Sequence, residues 1–279
     1  MECPRCGAPV PASSRHCIVC ETEVGFPNVR AAAARGEEEA LAQRVENASV
    51  SGRARNCERV LHEFAVAVLR SKAVMARSLN VVMALVSGDS ALYSSFHRQI
   101  RAGTRIPEDN KWDGGRAAID ETVFPNYAAD IVFGALSLDG WGLTYYGAYV
   151  IVLRDEVVED RATVFEENSF RFVQRWRIVA GNPVPPGHRA VWAARDKLAV
   201  AKLHSKLDRG TRPEDFPGIL LSAGTGPSDG DFIEVHIFGS IHRRAVERVI
   251  GPPPKRAERS LHRSLERKLR EVGAHLETR

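Results

Sequence analysis

Two cysteine pairs near the start of the chain constrain its fold more than any other feature. The pairs are Cys3-Pro-Arg-Cys6 and Cys17-Ile-Val-Cys20, with ten residues between them. Two residues between cysteines let a tight turn aim both sulfurs the same way, and two such turns facing each other supply four thiolates to one ion. Zinc fits that soft tetrahedral set. Gly7, directly after the first pair, supplies the left-handed backbone a turn of this kind needs. His16 sits beside Cys17 as a competing ligand. Cys57 stands alone and reads as a small residue within a helix.

The pattern resembles the short zinc ribbon found at the termini of many prokaryotic proteins, over about 25 residues. One departure is Glu21, where that family commonly has a second glycine. The resemblance implies a structural Zn2+ held by Cys3, Cys6, Cys17 and Cys20, with all four positions filled by protein and none open for catalysis. The partners implied are protein or nucleic acid, against the plainer role of a metal-stapled bead that stabilises the fold.

The rest of the chain reads as a folded, soluble body. Of 279 residues, 44% are hydrophobic and 27% charged, and no apolar run approaches the roughly 18 residues that span a bilayer. The amino terminus has no basic-then-apolar leader, which together with the paired cysteines predicts a cytoplasmic location without membrane contact. Eight Lys or Arg against four Glu in residues 252–279 account for the whole net charge of +4. Any electrostatic partner is therefore expected to meet the tail rather than the body. Oligomeric state is not legible.

The expected fold class is α+β, in four parts. These are a zinc ribbon at 1–25, a helical section at 27–103, a mixed sheet-and-helix domain at 116–251, and a basic amphipathic helix at 252–279. Pro27 to about Asn47 reads as a helix, with a break at Ser49–Gly52. Val60, Phe64, Val68, Met75, Leu79, Val82 and Val86 carry a helical period across 53–87. Ala91–Arg101 reads as a shorter helix and Gly103–Gly115 as loop. Tyr127–Leu138 is apolar and of undecided type. Tyr145–Leu153, Arg161–Phe165, Ile219–Leu221 and Phe232–Phe238 read as strands. Residues 167–176, Arg189–Leu207 and Arg243–Ile250 read as helices. The last helix, Arg256–Leu276, has Leu261, Leu265, Leu269, Val272 and Leu276 on one face. It is expected to pack back on the core, dimerisation through that face being the alternative.

Chemistry is expected on the last clear strand. Strict alternation puts Phe232, Glu234, His236 and Phe238 on one face and Ile233, Val235 and Ile237 on the other. A carboxylate beside an imidazole, flanked by aromatic rings, suits a cleft; a half-exposed sheet with a polar outer face explains it too. Arg161 and Thr163 share a face of their strand. The Asn168-Ser169 pair that follows suits either phosphate binding or a helix cap. Asp229, Asp231 and Glu234 are a weaker cation candidate, and Gly224-Thr-Gly-Pro lacks the Gly-Lys of a phosphate loop.

The order of Tyr146-Gly147 before a strand, Arg161-Ala-Thr, Asn168-Ser169 and then Glu234 on a late strand resembles ADP-ribosyltransferase-like domains. That resemblance implies NAD as the bound nucleotide and Glu234 as the glutamate that steadies positive charge as nicotinamide departs. His236 and Arg161 join Glu234 as the catalytic set. Ser169 or Thr163 would be the middle polar group holding NAD, with Arg116 as a further candidate beside Arg161. The Ser-Thr-Ser triplet and the paired Glu-x-Glu of that family are missing. The rival reading is a non-catalytic protein that meets nucleic acid or protein through the ribbon and the basic tail.

Overall fold

The computed structural model describes residues 2–107, 111–179, 181–226 and 228–279. The amino-terminal half comprises α1 (Pro27–Ala32), α2 (Arg35–Ala54), α3 (Glu58–Val68), β1 (Lys72–Arg77), α4 (Leu79–Leu85), β2 (Leu92–Tyr93), α5 (Phe96–Arg101) and α6 (Lys111–Val123). Then come β3 (Ile131–Ser137), β4 (Tyr149–Leu153), α7 (Asp155–Val158), β5 (Ala162–Phe165), α8 (Ser169–Arg175), β6 (Arg189–Val191) and α9 (Arg195–Leu203). The chain closes with α10 (Phe216–Leu220), β7 (Leu221–Ser222), β8 (Asp231–Phe232), β9 (Glu234–Phe238), β10 (Ile241–His242), β11 (Val246–Gly251), α11 (Arg259–Arg270) and β12 (His275–Thr278). No helix among the described residues is long and apolar enough to cross a membrane.

The fold is mixed α+β, as expected. Its frame is an eight-stranded sheet in the order β12-β11-β4-β1-β3-β9-β5-β6. Every pairing is antiparallel except β11 with β12. Alternation along each strand divides the side chains between two faces. One face presents Met75, Val132, Ile151, Val235, Ile237 and Val249 to α3, α9 and α11. The other presents Val74, Ala76, Ala135, Val150 and Val152 near one end and Ile131, Phe165 and Phe238 near the other. The candidate cleft lies on this second face.

Several expected elements are corrected. The helical reading of 53–87 fails at 72–77, which form β1 in the middle of the sheet between β3 and β4. Ala73, Val74, Met75 and Ala76 are all buried. A strand covered on both faces loses its alternation, so its apolar run merges with the helical stripes on either side. The section expected to be helical thus contributes a central strand. Arg243–Ile250 is corrected for a different reason: a bulge between Val246 and Arg248 gives the buried Val246, Val249 and Ile250 of strand β11 the spacing of a helix.

The last helix stops at Arg270, not Leu276. Gly273, at φ +68°, reverses the chain, and the Ala274 N–H returns to the Leu269 carbonyl. Residues 275–278 then run beside β11. His262, Leu265 and Leu269 are buried, so the helix does pack back on the body. Tyr149 Oη meets His262 Nε2 at 2.5 Å.

Smaller corrections follow similar causes. Two helices, α1 and α2, replace the single helix expected from Pro27, and α2 continues through the expected break at Ser49–Gly52. Gly52 lies inside it because a Cβ there would stand 2.2 Å from Leu61 Cδ1, where α3 packs. Leu92-Tyr93 pairs with β10 and the following helix starts only at Phe96, capped by Ser95. Helix α6 occupies 111–115 of the expected loop. Residues 189–191 are strand, and 219–220 lie in α10. Cys57 is the buried N-cap of α3. Asn110 of the expected 103–115 loop and Pro227 of the 224–230 turn lie outside the described residues.

Candidate functional sites: a cysteine centre and an arginine-lined cleft

The four cysteine sulfurs lie within 4.8 Å of one another. Cys3 and Cys20 are 3.6 Å apart, as are Cys6 and Cys17. A tetrahedron with Zn–S of about 2.3 Å has edges of about 3.8 Å, so the set is positioned to hold such an ion. The two turns are congruent. Gly7 N–H donates to the Cys3 carbonyl and Glu21 N–H to the Cys17 carbonyl, both at 2.9 Å. Gly7 has φ +70° and Glu21 φ +57°. Glu21 therefore takes the left-handed conformation at the place where glycine is the easy choice. His16 is outside the cluster.

This small unit is fastened to the body by Arg30 of α1. Its guanidinium donates to the carbonyls of Pro11, Ala12, Ser14 and Gly25. Two residues earlier, buried Asn28 donates from Nδ2 to the carbonyls of Arg161 and His236, at 3.0 and 3.1 Å. Helix α1 thereby joins the cysteine centre to two adjacent strands, β5 and β9.

The cleft forms over the middle of the sheet and encloses about 340 Å³. Its floor is Val74, Ala76, Gly134 and Ala135, where small side chains leave room. Arg77, Arg105 and Arg116 line it, with Tyr93, Phe96, Phe133, Tyr145, Tyr146, Asn168 and Glu234. Gly147 makes the Tyr145-Tyr146 wall feasible. At φ +147°, its Cβ would come within 2.0 Å of the Arg77 carbonyl carbon, so only glycine lets this turn press against the end of β1.

Glu234 is held in a fixed seat, with 5% of its surface exposed. Its Oε2 accepts from the Ser169 N–H at 2.9 Å and the Ser169 hydroxyl at 2.5 Å. His236 Nε2 lies 2.9 Å from the same oxygen and 3.2 Å from Ser169 Oγ. Oε1 keeps one long bond, 3.3 Å from Asn168 Nδ2. Asn168 in turn caps α8 through its Oδ1, accepting from Arg171 N–H. Of the two roles expected of the Asn-Ser pair, the helix cap is observed, at Asn168, while Ser169 grips the Glu234 carboxylate. His236 sits behind Glu234, its ring 4.7 Å from that of Phe124 and 5.3 Å from those of Phe133 and Phe165. It orients the carboxylate and does not line the cleft.

Arg116 reaches the cleft from α6. Its Nε pairs with Asp120 at 3.1 Å, and its guanidinium lies 4.5 Å over the Phe133 ring and 5.1 Å over Phe96. His97 Nε2 also meets Asp120, at 2.8 Å. Burial works to lower the Arg116 pKa, but Asp120 and then Glu234 outweigh it and raise the value. Tyr145 and Tyr146 are pushed up by burial first, with the Glu234 charge adding to it. The Tyr145 hydroxyl is buried without a hydrogen-bond partner. A cleft with an orphaned donor, three guanidinium groups and aromatic walls is suited to a flat ring attached to phosphate.

The other expected site residues lie elsewhere. Arg161 donates to the carbonyls of Val157, Phe238 and Ser240, where it braces the far end of β9. It is not brought together with Glu234. Its three acceptors are backbone oxygens, one four residues back and two at and just past the end of β9, which no side-chain pattern reveals. Thr163 is buried on β5 in register with His236 and does not line the cleft. Asp229 is occupied by Thr225 and Gly226, and Asp231 by Lys202 and Lys206, so neither joins Glu234 around a cation.

Arg77, Tyr93, Arg105, Asp120, Phe133 and Tyr145 escaped the sequence reading. Arg77 was hidden inside an apparent helix. The juxtaposition of Tyr146 with Gly147 was the one visible signal for this wall. A second hollow, about 500 Å³ between α1, Val123–Tyr127 and 181–184, is mainly apolar. Its cations, Arg30 and Arg189, bond to carbonyls and to Glu37, just as the cleft's Arg77, Arg105 and Arg116 bond to Tyr93, Asp113 and Asp120.

No protein-family model matches this chain, and no curated protein is significantly similar to it.

Proposed function

We propose that the cleft binds a phosphorylated nucleoside, with NAD as the leading candidate, and that Glu234 promotes cleavage of its glycosidic bond. The observation that carries this reading is the seat of Glu234. One carboxylate oxygen is fixed by Ser169 and His236, and the other is lightly held beside a cleft with three arginines. Arg77, Arg105 and Arg116 supply positive charge for a pyrophosphate. The tyrosine and phenylalanine rings suit the base, and the Tyr145 hydroxyl offers one unmatched hydrogen bond.

In this reading the bond from ribose C1′ to the nicotinamide nitrogen breaks and both its electrons leave with nicotinamide. Positive charge develops on C1′ and the ring oxygen. The ionised Glu234 stabilises that charge where little water screens it. A lone pair from water or an acceptor nucleophile then closes on C1′, and the nucleophile's proton passes to solvent. Ser169 and His236 position the carboxylate, and Asp120 positions Arg116. Arg161 and Thr163 have only supporting roles. The cysteine centre holds structural zinc and takes no part in the reaction.

The test is incubation of the zinc-loaded protein with NAD, following nicotinamide release and transfer of labelled ADP-ribose, alongside calorimetric binding. Glu234→Gln should retain binding and reduce release by 100-fold or more. Absence of NAD binding, or release unchanged in that variant, would refute the reading.

A further inference from the structure

Helix α11 presents an arginine stripe that makes no ion pair and no side-chain hydrogen bond to the body of the fold among the described residues. At about 100° per residue, Arg259, Arg263, Arg267 and Arg270 fall within an arc of about 80° and extend roughly 16 Å along the axis. All four are exposed. They lie opposite Leu265 and Leu269, which are fully buried against the sheet. Among the described residues, Arg259, Arg263 and Arg267 have no ion pair, and Arg270 donates its Nε–H to the Glu266 carbonyl. Elsewhere the arginines of this chain are mostly occupied, as Arg30, Arg44, Arg154, Arg161 and Arg189 illustrate. A row of unmatched guanidinium groups on a short helix raises self-repulsion and contributes nothing to packing.

We propose that this stripe binds the sugar–phosphate backbone of nucleic acid without reading its sequence. Three observations favour that occupant. The residues are arginines, whose planar forks match phosphate oxygens. The stripe is straight and regularly spaced, and it carries no aromatic or large aliphatic anchor of the kind that holds protein partners. The apolar side of α11 is already committed to the core, so little remains to insert into a bilayer; Leu261, 43% exposed, is the one exception and lies off the stripe. The stripe is also on the opposite face of the sheet from Glu234, so binding there is independent of the proposed NAD chemistry.

The test uses the full zinc-loaded chain with a labelled 20-base-pair duplex and a labelled 20-nucleotide single strand, at 50 to 200 mM salt. Four phosphate contacts give a slope of log K on log salt of about −3.6 for the duplex and about −2.8 for the single strand. The duplex slope corresponds to a loss of roughly 150-fold over that range. Replacing all four arginines by glutamine should abolish the salt-dependent binding with an unchanged circular dichroism spectrum. Should that variant misfold, Arg263→Gln and Arg267→Gln singly should each reduce the slope by about 0.9. Glu266→Gln should tighten binding several-fold, and Glu234→Gln should leave it unchanged. The proposal is overturned if neither nucleic acid binds, if the arginine variants bind like the parent, or if polyglutamate or phosphatidylserine vesicles are bound as tightly as the nucleic acids.

Discussion

Glu21 and Ser169 show how much a single side chain decides here. Glu21 holds a left-handed backbone at φ +57°, a conformation that costs an L-residue about 1–2 kcal/mol. Glu21→Gly should stabilise the cysteine unit by about 1 kcal/mol, read as slower zinc loss to a chelator. Ser169 gives Glu234 two hydrogen bonds, one from its backbone and one from its hydroxyl. Ser169→Ala removes the second and should cost about 2 kcal/mol in urea unfolding. Nicotinamide release should fall in that variant as well, but less than in Glu234→Gln. At this scale the sequence was informative wherever spacing carried the message. The cysteine set follows from two CxxC turns, and the shared face of Glu234 and His236 from the period of a strand. The role of Arg161 is invisible in the sequence because its acceptors are main-chain oxygens, and that of Tyr145 because its orphaned hydroxyl exists only once the loop is folded.

Between elements, the clearest joint is centred on Glu166. It lies just beyond β5 and meets His188 ahead of β6, Arg44 of α2 and Arg175 of α8. Burial pushes this carboxyl up, but the His188 hydrogen bond and the Arg44 charge outweigh it and hold the value down to about 2. A carboxyl depressed by folding stabilises the native state above its unfolded value, near 4.5. That stabilisation is lost as pH falls from there toward 2. The contribution is on the order of 3 kcal/mol. Glu166→Gln should therefore lower stability at pH 7 and flatten the decline between pH 4.5 and 2 in urea titrations followed by circular dichroism. Helices with one apolar stripe, such as α3 and α9, were legible. Strand β1 was not, because burial on both faces erases the alternation that marks a strand, and β11 was not, because a bulge between Val246 and Arg248 interrupts that alternation. The end of α11 was missed at Gly273, a glycine whose role depends on where the chain must turn.

Across the whole molecule, α1 links the four-cysteine unit to the sheet. Arg30 anchors one side and Asn28 the other. A structural zinc site is part of the folding free energy of so small a unit. Stripping the metal should speed amide exchange in residues 2–33, with a smaller rise at β9, while α11 and β12 stay protected. Mass-resolved hydrogen exchange with and without chelator would measure this; uniform protection throughout would mean that the unit is decorative.

The parallel pairing of β12 with β11 has a practical consequence. β12 is bonded along one side only, and it meets water with His275, Glu277 and Arg279, of which Glu277 also pairs with Arg248. Such an ionic border discourages a neighbouring molecule from adding its own strand. Trimming residues 274–279 would bare the hydrogen-bonding row of Arg248–Gly251 beside Val249 and Ile250. The shortened protein should then form oligomers or precipitate, visible by light scattering.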